Sequence, residues 1–116
     1  MSRFEHLPLY RKSYLLMKEI YSITKQFPKE YKYSLGEEIL NKSWKLLDLI
    51  IETNSATEKY NKISELSLEF DKLKLRIRFA FEIKLIPEKR FLNLQEKIAE
   101  IGEMIGGWLK WAEKKD

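Results

Sequence analysis

The sequence predicts an all-α protein, an antiparallel up-down-up-down four-helix bundle in one domain spanning residues 1–116. Apolar residues recur at the spacing of helix turns, and no segment alternates with the period of a strand. Prolines at positions 8, 28 and 87 and the polar stretch "ETNSATEKYN" separate four segments. Because the connections are short, consecutive helices should be antiparallel neighbours.

The four predicted helices span approximately residues 8–26, 33–53, 57–85 and 88–112. The first two have apolar faces that cover nearly half of the helix, as expected for helices inside a bundle. The narrow apolar stripe of the first helix contains Leu9, Leu16, Ile20, Ile23 and Phe27. The corresponding stripe of the second helix contains Leu35, Ile39, Leu46 and Ile50. The wider face of the first helix adds Tyr10, Met17 and Tyr21, and that of the second adds Leu40, Trp44, Leu47 and Ile51.

The third predicted helix has two apolar stripes on nearly opposite sides. The stripe expected in the core contains Ile63, Leu66, Phe70, Leu73, Ile77 and Phe81. The second stripe contains Leu68, Leu75, Phe79, Ile83 and Ile86. A monomeric bundle would leave the second stripe in water, and exposed apolar patches of this kind mark partner surfaces. We therefore expect an oligomer interface here; the alternative is that loops or chain ends fold over the stripe.

The core stripe of the fourth predicted helix contains Phe91, Leu94, Ile98, Ile101, Ile105, Trp108 and Ala112. This helix also carries three of the four glycines of the chain, within "IGEMIGGWLKW". Gly102 and Gly106 follow Ala99 at a spacing of small residues that allows close helix packing. These two glycines are therefore candidates for tight contact with a helix of the same subunit or of another subunit, and we count them among the candidates for the oligomer interface. The alternative is that Gly106 and Gly107 kink or fray the helix, and periodicity alone does not decide between the two.

The composition is that of a soluble globular protein, with 44% hydrophobic and 34% charged residues. The absence of cysteine excludes disulfides and thiolate sites and is typical of a reducing cytoplasm, where we expect the protein to act. Charged residues interrupt the first twenty positions, and no apolar run is long enough to span a membrane. The net charge of +4 favours a polyanionic partner only weakly.

The sequence offers no constellation for catalysis. His6 is the single histidine, so a di-iron centre, a zinc site and a serine triad all lack the residues they need. No glycine-rich phosphate loop is present either. We interpret the acids Glu37 and Glu38 as part of a solvated face. The sequence therefore predicts a binding or assembly protein without catalytic residues, metal or other cofactor.

Two groups of basic residues are candidates for a polyanion site. Arg11, Lys18 and Lys25 recur every seven residues and form a line along the first helix. On the third helix, "KLKLRIR" contributes Lys74, Arg76 and Arg78. Such side chains could contact phosphates in a salt-sensitive manner that depends little on sequence. The alternative is a solvated surface with ion pairs within one helix, such as Glu69 with Lys72.

Four stretches of the chain resemble one protein family. "FPKEYKYSLGEEI", "WKLLDLIIETN", "LSLEFDKLKLRIRFAFEIKLI" and "IGEMIGGWLKW" are similar to the accessory variability determinant (Avd) proteins of diversity-generating retroelements. The resemblance covers approximately residues 7–112. The wider superfamily includes bundle proteins encoded in intervening sequences of ribosomal RNA genes, which form the alternative assignment.

The resemblance implies a non-enzymatic, barrel-like homopentamer with a basic surface. Such a protein binds the reverse transcriptase of its element and nucleic acid, including template RNA and possibly DNA, and supports cDNA synthesis in mutagenic retrohoming. It also favours a packing role for Gly102 and Gly106. The six basic candidates would then contact nucleic acid or reverse transcriptase.

Overall fold

A computed structural model describes residues 4–115 and shows an all-α fold with no strand in that range. Four long helices form the bundle, and a short helical turn lies between the first two. Pro8–Thr24 is α1, Lys29–Lys32 is the short α2, Leu35–Ser55 is α3, Tyr60–Glu82 is α4 and Glu88–Lys115 is α5. A 3-10 turn, Phe4–His6, precedes α1. The four predicted helices correspond to α1, α3, α4 and α5.

Consecutive long helices run antiparallel around one core. Each of α1 and α4 packs against both α3 and α5, so α1 and α4 occupy opposite corners of the bundle. The side chains of the predicted core stripes are buried along the full length of the core. The exceptions lie at the margin of the core and are only partly buried: Leu35, Phe81, Phe91 and Trp108. The particle measures 45 × 22 × 21 Å, as expected for helices of this length packed side by side. None of the described helices has an apolar stretch long enough to cross a bilayer.

The short α2 packs closely on the first turn of α3. A Cβ atom on Gly36 would lie 3.2 Å from the Tyr31 carbonyl oxygen and 3.3 Å from the Phe27 ring. Glycine at position 36 therefore allows this close approach. Sequence reasoning treated residues 29–32 as a connection, whereas Pro28 begins a separate turn there by accepting hydrogen bonds from the backbone N–H groups of Tyr31 and Lys32.

Helix α4 is shorter than the predicted segment 57–85 at both ends. At its start, Lys59 Nζ donates hydrogen bonds to the backbone oxygens of Thr53, Asn54 and Ala56. The Thr53 oxygen also accepts a hydrogen bond from the Ala56 N–H. The Lys59 side chain therefore adds to the backbone cap at the end of α3 and closes the connection between α3 and α4.

At its other end, α4 stops in a Schellman turn centred on Lys84. Lys84 has a left-handed φ of 70°, its N–H donates to the Phe81 oxygen, and the Leu85 N–H donates to the Ala80 oxygen. Glycine is the usual residue at such a position, which explains why the sequence did not reveal this helix end.

The turn at Lys84 corrects the predicted position of Ile86. The sequence placed Ile86 on the exposed second stripe by continuing the helix past residue 83. Because the chain reverses direction at Lys84, Ile86 instead enters the core and is only 4% exposed. Its assignment to the exposed second stripe is therefore wrong.

Helix α5 continues without interruption through the three glycines. Gly102 lies against α4 of the same chain, where a Cβ atom would be 3.6 Å from the Phe70 ring. No neighbouring atom lies within 4 Å of a Cβ position on Gly106 or Gly107, and both residues are exposed. The glycines therefore neither end nor fray the helix, and the space beside Gly106 is open.

Candidate nucleic-acid and subunit interfaces

One face of α1, continued by its C-cap residue Lys25, alternates basic and aromatic side chains. Successive members are three or four residues apart, so they form a single row along the helix, which we call the α1 ridge: Arg11, Tyr14, Lys18, Tyr21 and Lys25. All five residues are exposed. The predicted basic line of Arg11, Lys18 and Lys25 is therefore present on the surface, and two tyrosines lie between its members.

The basic side chains of the α1 ridge lack acidic partners within residues 4–115. Arg11 Nε donates to the Glu5 backbone oxygen at 3.2 Å. Lys18 Nζ lies 6.0 Å from the centre of the Tyr14 ring, and Lys25 Nζ lies 5.6 Å from the centre of the Tyr21 ring. These contacts hold the ammonium groups beside aromatic faces without neutralising their charge.

A groove separates the α1 ridge from α3. The part of the groove between Tyr14 and Trp44 has a volume of about 360 Å³. Its lining residues are Tyr14, Met17, Lys18, Tyr21, Leu40 and Trp44. The groove continues past Tyr21 and Leu40 into a part of about 180 Å³. This second part is lined also by Thr24, Lys25, Lys32, Tyr33, Gly36 and Glu37. Trp44, which sequence reasoning assigned to the core face of its helix, is half exposed at this groove.

The second predicted basic group, on α4, is neutralised by acids of the same chain. Lys74 Nζ lies 3.2 Å from an Asp71 carboxylate oxygen, and Arg78 Nε lies 3.1 Å from a Glu82 oxygen. Arg76 pairs with Glu38 of α3. Lys74, Arg76 and Arg78 therefore present much less free positive charge than the residues of the α1 ridge.

The apolar residues of the second stripe on α4 and at its C-cap, Ile83, lie at the surface, where no loop or described chain end covers them. We call this set the α4 stripe: Leu68, Leu75, Phe79 and Ile83, with exposures of 54%, 65%, 52% and 37%. The cations beside it are paired, because Lys72 Nζ lies 3.0 Å from Glu69 Oε2 and Arg76 bonds Glu38. The face is thus apolar with neutralised flanks, a character suited to contact with protein.

The structure therefore distinguishes two surfaces, whereas the sequence did not show which basic residues are free and which are paired. The α1 ridge carries free cations and aromatic rings, and the α4 stripe carries aliphatic and aromatic side chains with paired cations. Sequence reasoning missed the aromatic members of the groove, Tyr14, Tyr21, Tyr33 and Trp44, since it counted Tyr21 and Trp44 toward the apolar faces of their helices. The regular alternation from Arg11 to Lys25 is the signal that could have revealed them.

The fold and these faces define an all-α bundle protein that presents binding surfaces. Among residues 4–115, no three histidine or acidic side chains cluster closely enough to hold a metal ion. A comparison with protein families finds that the model described as bAvd-like matches residues 8–112. The chain belongs to the bAvd-like family, which confirms the Avd family assignment. No curated protein matches the chain.

Proposed function

We propose that the protein is a non-enzymatic accessory subunit of a diversity-generating retroelement. In this role it binds the element's reverse transcriptase together with template RNA and supports cDNA synthesis in mutagenic retrohoming, in the cytoplasm. The observation that carries the proposal is the match of residues 8–112 to the bAvd-like family. This role needs a surface for nucleic acid and a surface for protein. The free cations of the α1 ridge and the exposed apolar side chains of the α4 stripe supply two such surfaces.

The proposal includes assembly into a ring-like homo-oligomer, with five subunits as the expected number. In a ring, each subunit contacts the next through two different patches. The α4 stripe supplies an apolar patch, and Gly102 and Gly106 on α5 remain candidates for a second contact. The open space at Gly106 supports this assignment, because a neighbouring helix could approach its backbone. At Gly102 the nearest neighbour is Phe70 of the same subunit.

The nucleic-acid part of the proposal rests mainly on α1. The net charge of the chain is only +4, so binding requires that positive charge be concentrated on one surface. Arg11, Lys18 and Lys25 meet this requirement because none has an acidic partner among the described residues. Lys74, Arg76 and Arg78 remain secondary candidates, as contact with phosphate or with the polymerase would first have to displace their carboxylate partners.

The decisive experiment is co-purification with the reverse transcriptase of the same element, combined with fluorescence anisotropy on its template RNA over a salt series. The proposal predicts a stable complex with the polymerase and RNA binding that weakens steeply as salt rises. Light scattering on the free protein measures the number of subunits. Failure to bind the polymerase, with the oligomer intact, would favour the alternative of a ribosomal RNA intervening-sequence type of interaction protein.

A further inference from the structure

We propose that the groove between α1 and α3 is a binding site for single-stranded nucleic acid, in which aromatic rings stack with bases while cations hold phosphates. This inference rests on the proposed function and adds the form of nucleic acid and the surface that binds it. The stacking residues are Tyr14, Tyr21 and Trp44. The phosphate-binding residues are Arg11, Lys18 and Lys25.

The aromatic rings of the groove are accessible from solvent. Tyr14, Tyr21 and Trp44 are 44%, 55% and 50% exposed. Tyr14 and Tyr21 are seven residues apart, which separates them by about 10.5 Å along the helix axis. Trp44 faces them across the groove from α3. Such a platform suits bases because every base presents an aromatic face.

The charges of the groove complement a phosphate backbone. Lys18 and Lys25 follow the two tyrosines at i+4, so that each ring has an ammonium group beside it. Lys32 continues the pattern with its Nζ 5.9 Å from the centre of the Tyr33 ring. One carboxylate, Glu37, lines the second part of the groove together with Lys25 and Lys32, so cations outnumber acids in that lining.

A single strand fits these features better than a duplex. Stacking needs bases whose faces are exposed, whereas the bases of a duplex are already stacked on one another. Phosphate contacts alone would serve either form, so the aromatic rings carry the discrimination.

A protein occupant fits less well. Burial of Lys18 and Lys25 against an apolar protein surface would remove their ammonium groups from water without a compensating acid. A nucleic-acid strand supplies an anionic phosphate at every nucleotide and leaves the ammonium groups partly hydrated. The same argument assigns protein contact to the α4 stripe, whose neighbouring cations are paired within the subunit.

The test is fluorescence anisotropy with a labelled 15-nucleotide RNA of mixed, unstructured sequence and with the duplex formed by its complement. We expect tighter binding of the single strand. The double variant Tyr21→Ala, Trp44→Ala should weaken single-strand binding at least fivefold for each ring removed and should change duplex binding little. The matched control is Leu15→Ala, Leu92→Ala, which removes exposed apolar side chains outside the groove.

Charge variants give a second, independent readout. The plot of log K against log salt has a negative slope. In Lys18→Gln, Lys25→Gln this slope should become less steep by about 1.4 for a single strand, because two phosphate contacts are lost. The control Lys74→Gln, Arg78→Gln removes the same amount of charge from the opposite corner of the bundle, where both cations are ion-paired. In this control the slope should change by a smaller amount.

A third readout needs no loss of affinity. With Trp108→Phe and Trp111→Phe, Trp44 becomes the one tryptophan left, and stacking with a base should quench its fluorescence on addition of the RNA. Circular dichroism establishes that each variant keeps its helices.

The outcomes separate this inference from the proposed function. Equal binding of strand and duplex, unaffected by Tyr21→Ala, Trp44→Ala, would overturn the stacking site and leave nucleic-acid binding by the protein intact. Absence of binding to either form at low salt would overturn both. If the groove variants instead lose the polymerase or the oligomer while RNA affinity is unchanged, the groove is a protein contact and the inference is wrong.

Discussion

Lys42 of α3 and Glu69 of α4 form an ion pair across the bundle, with Lys42 Nζ 2.8 Å from Glu69 Oε1. Glu69 is only 8% exposed, and its second oxygen accepts a hydrogen bond from Lys72 at 3.0 Å. Both carboxylate oxygens are therefore satisfied, which is how a charge can remain near the core. The hydrogen bond from Lys42 holds the pKa of Glu69 below its ordinary value, with the charge of Lys72 acting in the same direction.

Removal of Lys42 should destabilise the fold. In Lys42→Met the aliphatic stem is conserved, but one oxygen of a largely buried carboxylate loses its donor. We expect the free energy of unfolding to fall by about 1.5 kcal/mol, measured by urea denaturation. Lys45→Met is the control, because the Lys45–Glu65 pair is 4.0 Å long and half exposed, and its loss should cost less than about 0.5 kcal/mol. Equal losses for the two variants would contradict this account of Glu69.

Stability should fall in acid because of the same carboxylate. The pKa of Glu69 is lowered on folding, so its contribution is complete above pH 4.5 and is lost as the pH falls through the folded pKa. Urea midpoints measured between pH 6 and pH 2.5 should decline below pH 4.5, and Glu69→Gln should flatten that decline. The pKa of Glu52 is also lowered, through its hydrogen bond from Lys62, so Glu52→Gln is needed as a comparison. An unchanged slope in Glu69→Gln would assign the acid sensitivity to other carboxylates.

Substitution of Lys84 by glycine should stabilise the protein. A left-handed residue other than glycine costs roughly 1–2 kcal/mol, and glycine loses part of that gain through its larger backbone entropy when unfolded. We expect a net increase of about 0.5 kcal/mol in the free energy of unfolding. The same substitution at Lys110, in the interior of α5, should instead cost about 1 kcal/mol. A loss of stability in Lys84→Gly would indicate that the Lys84 side chain makes a stabilising contact of its own.

The α4 stripe should control assembly. Phe79→Glu places a charge at the centre of an apolar surface that we expect to be buried between subunits, so light scattering should report smaller particles. Helicity by circular dichroism should be unchanged, because Phe79 does not contribute to the core. Leu15→Glu is the matched control, since Leu15 on α1 is equally exposed at 52% and lies outside the stripe. Intact assembly in Phe79→Glu would refute a role of the stripe as a subunit contact.

Gly106→Ala should affect folding and assembly in opposite directions. Alanine favours the helical backbone by roughly 0.5–1 kcal/mol over glycine, and the site has room for a methyl group within the subunit. Thermal unfolding of the dissociated protein should therefore shift upward. If Gly106 contacts a neighbouring helix, the added methyl should raise the concentration at which the oligomer dissociates. Gly107→Ala, equally open, provides the comparison. A dissociation concentration of Gly106→Ala equal to that of the unsubstituted protein would remove Gly106 from the interface.

Much of the bundle could be predicted from its sequence, because helical periodicity and the prolines at 8, 28 and 87 are local signals. The ends of α4 were mispredicted since both depend on lysines in unusual roles, Lys59 as a side-chain cap and Lys84 in a left-handed turn. The turn at Lys84 also explains why the sequence placed Ile86 on the wrong face.

The candidate surfaces were predictable only in part, for a different physical reason. The Lys72–Glu69 pair lies within one helix and is expected from its i,i+3 spacing, and the Lys74–Asp71 pair has the same spacing. Arg76 pairs with Glu38, which is 38 positions away in the chain, so its neutralisation depends on how α3 packs against α4. The distinction between free and paired cations therefore emerges only from the tertiary structure.

The α1 ridge and the α4 stripe lie on opposite corners of the bundle, and this arrangement affects how tightly a ring of subunits would bind nucleic acid. A subunit that docks through α4 leaves its α1 groove in water, so each added subunit contributes one more site for the same strand. After the first contact, the next is intramolecular, and its effective concentration is set by the distance between neighbouring grooves. A site that is weak in one copy can then hold a long strand firmly by avidity, without any increase in the modest net charge of each chain.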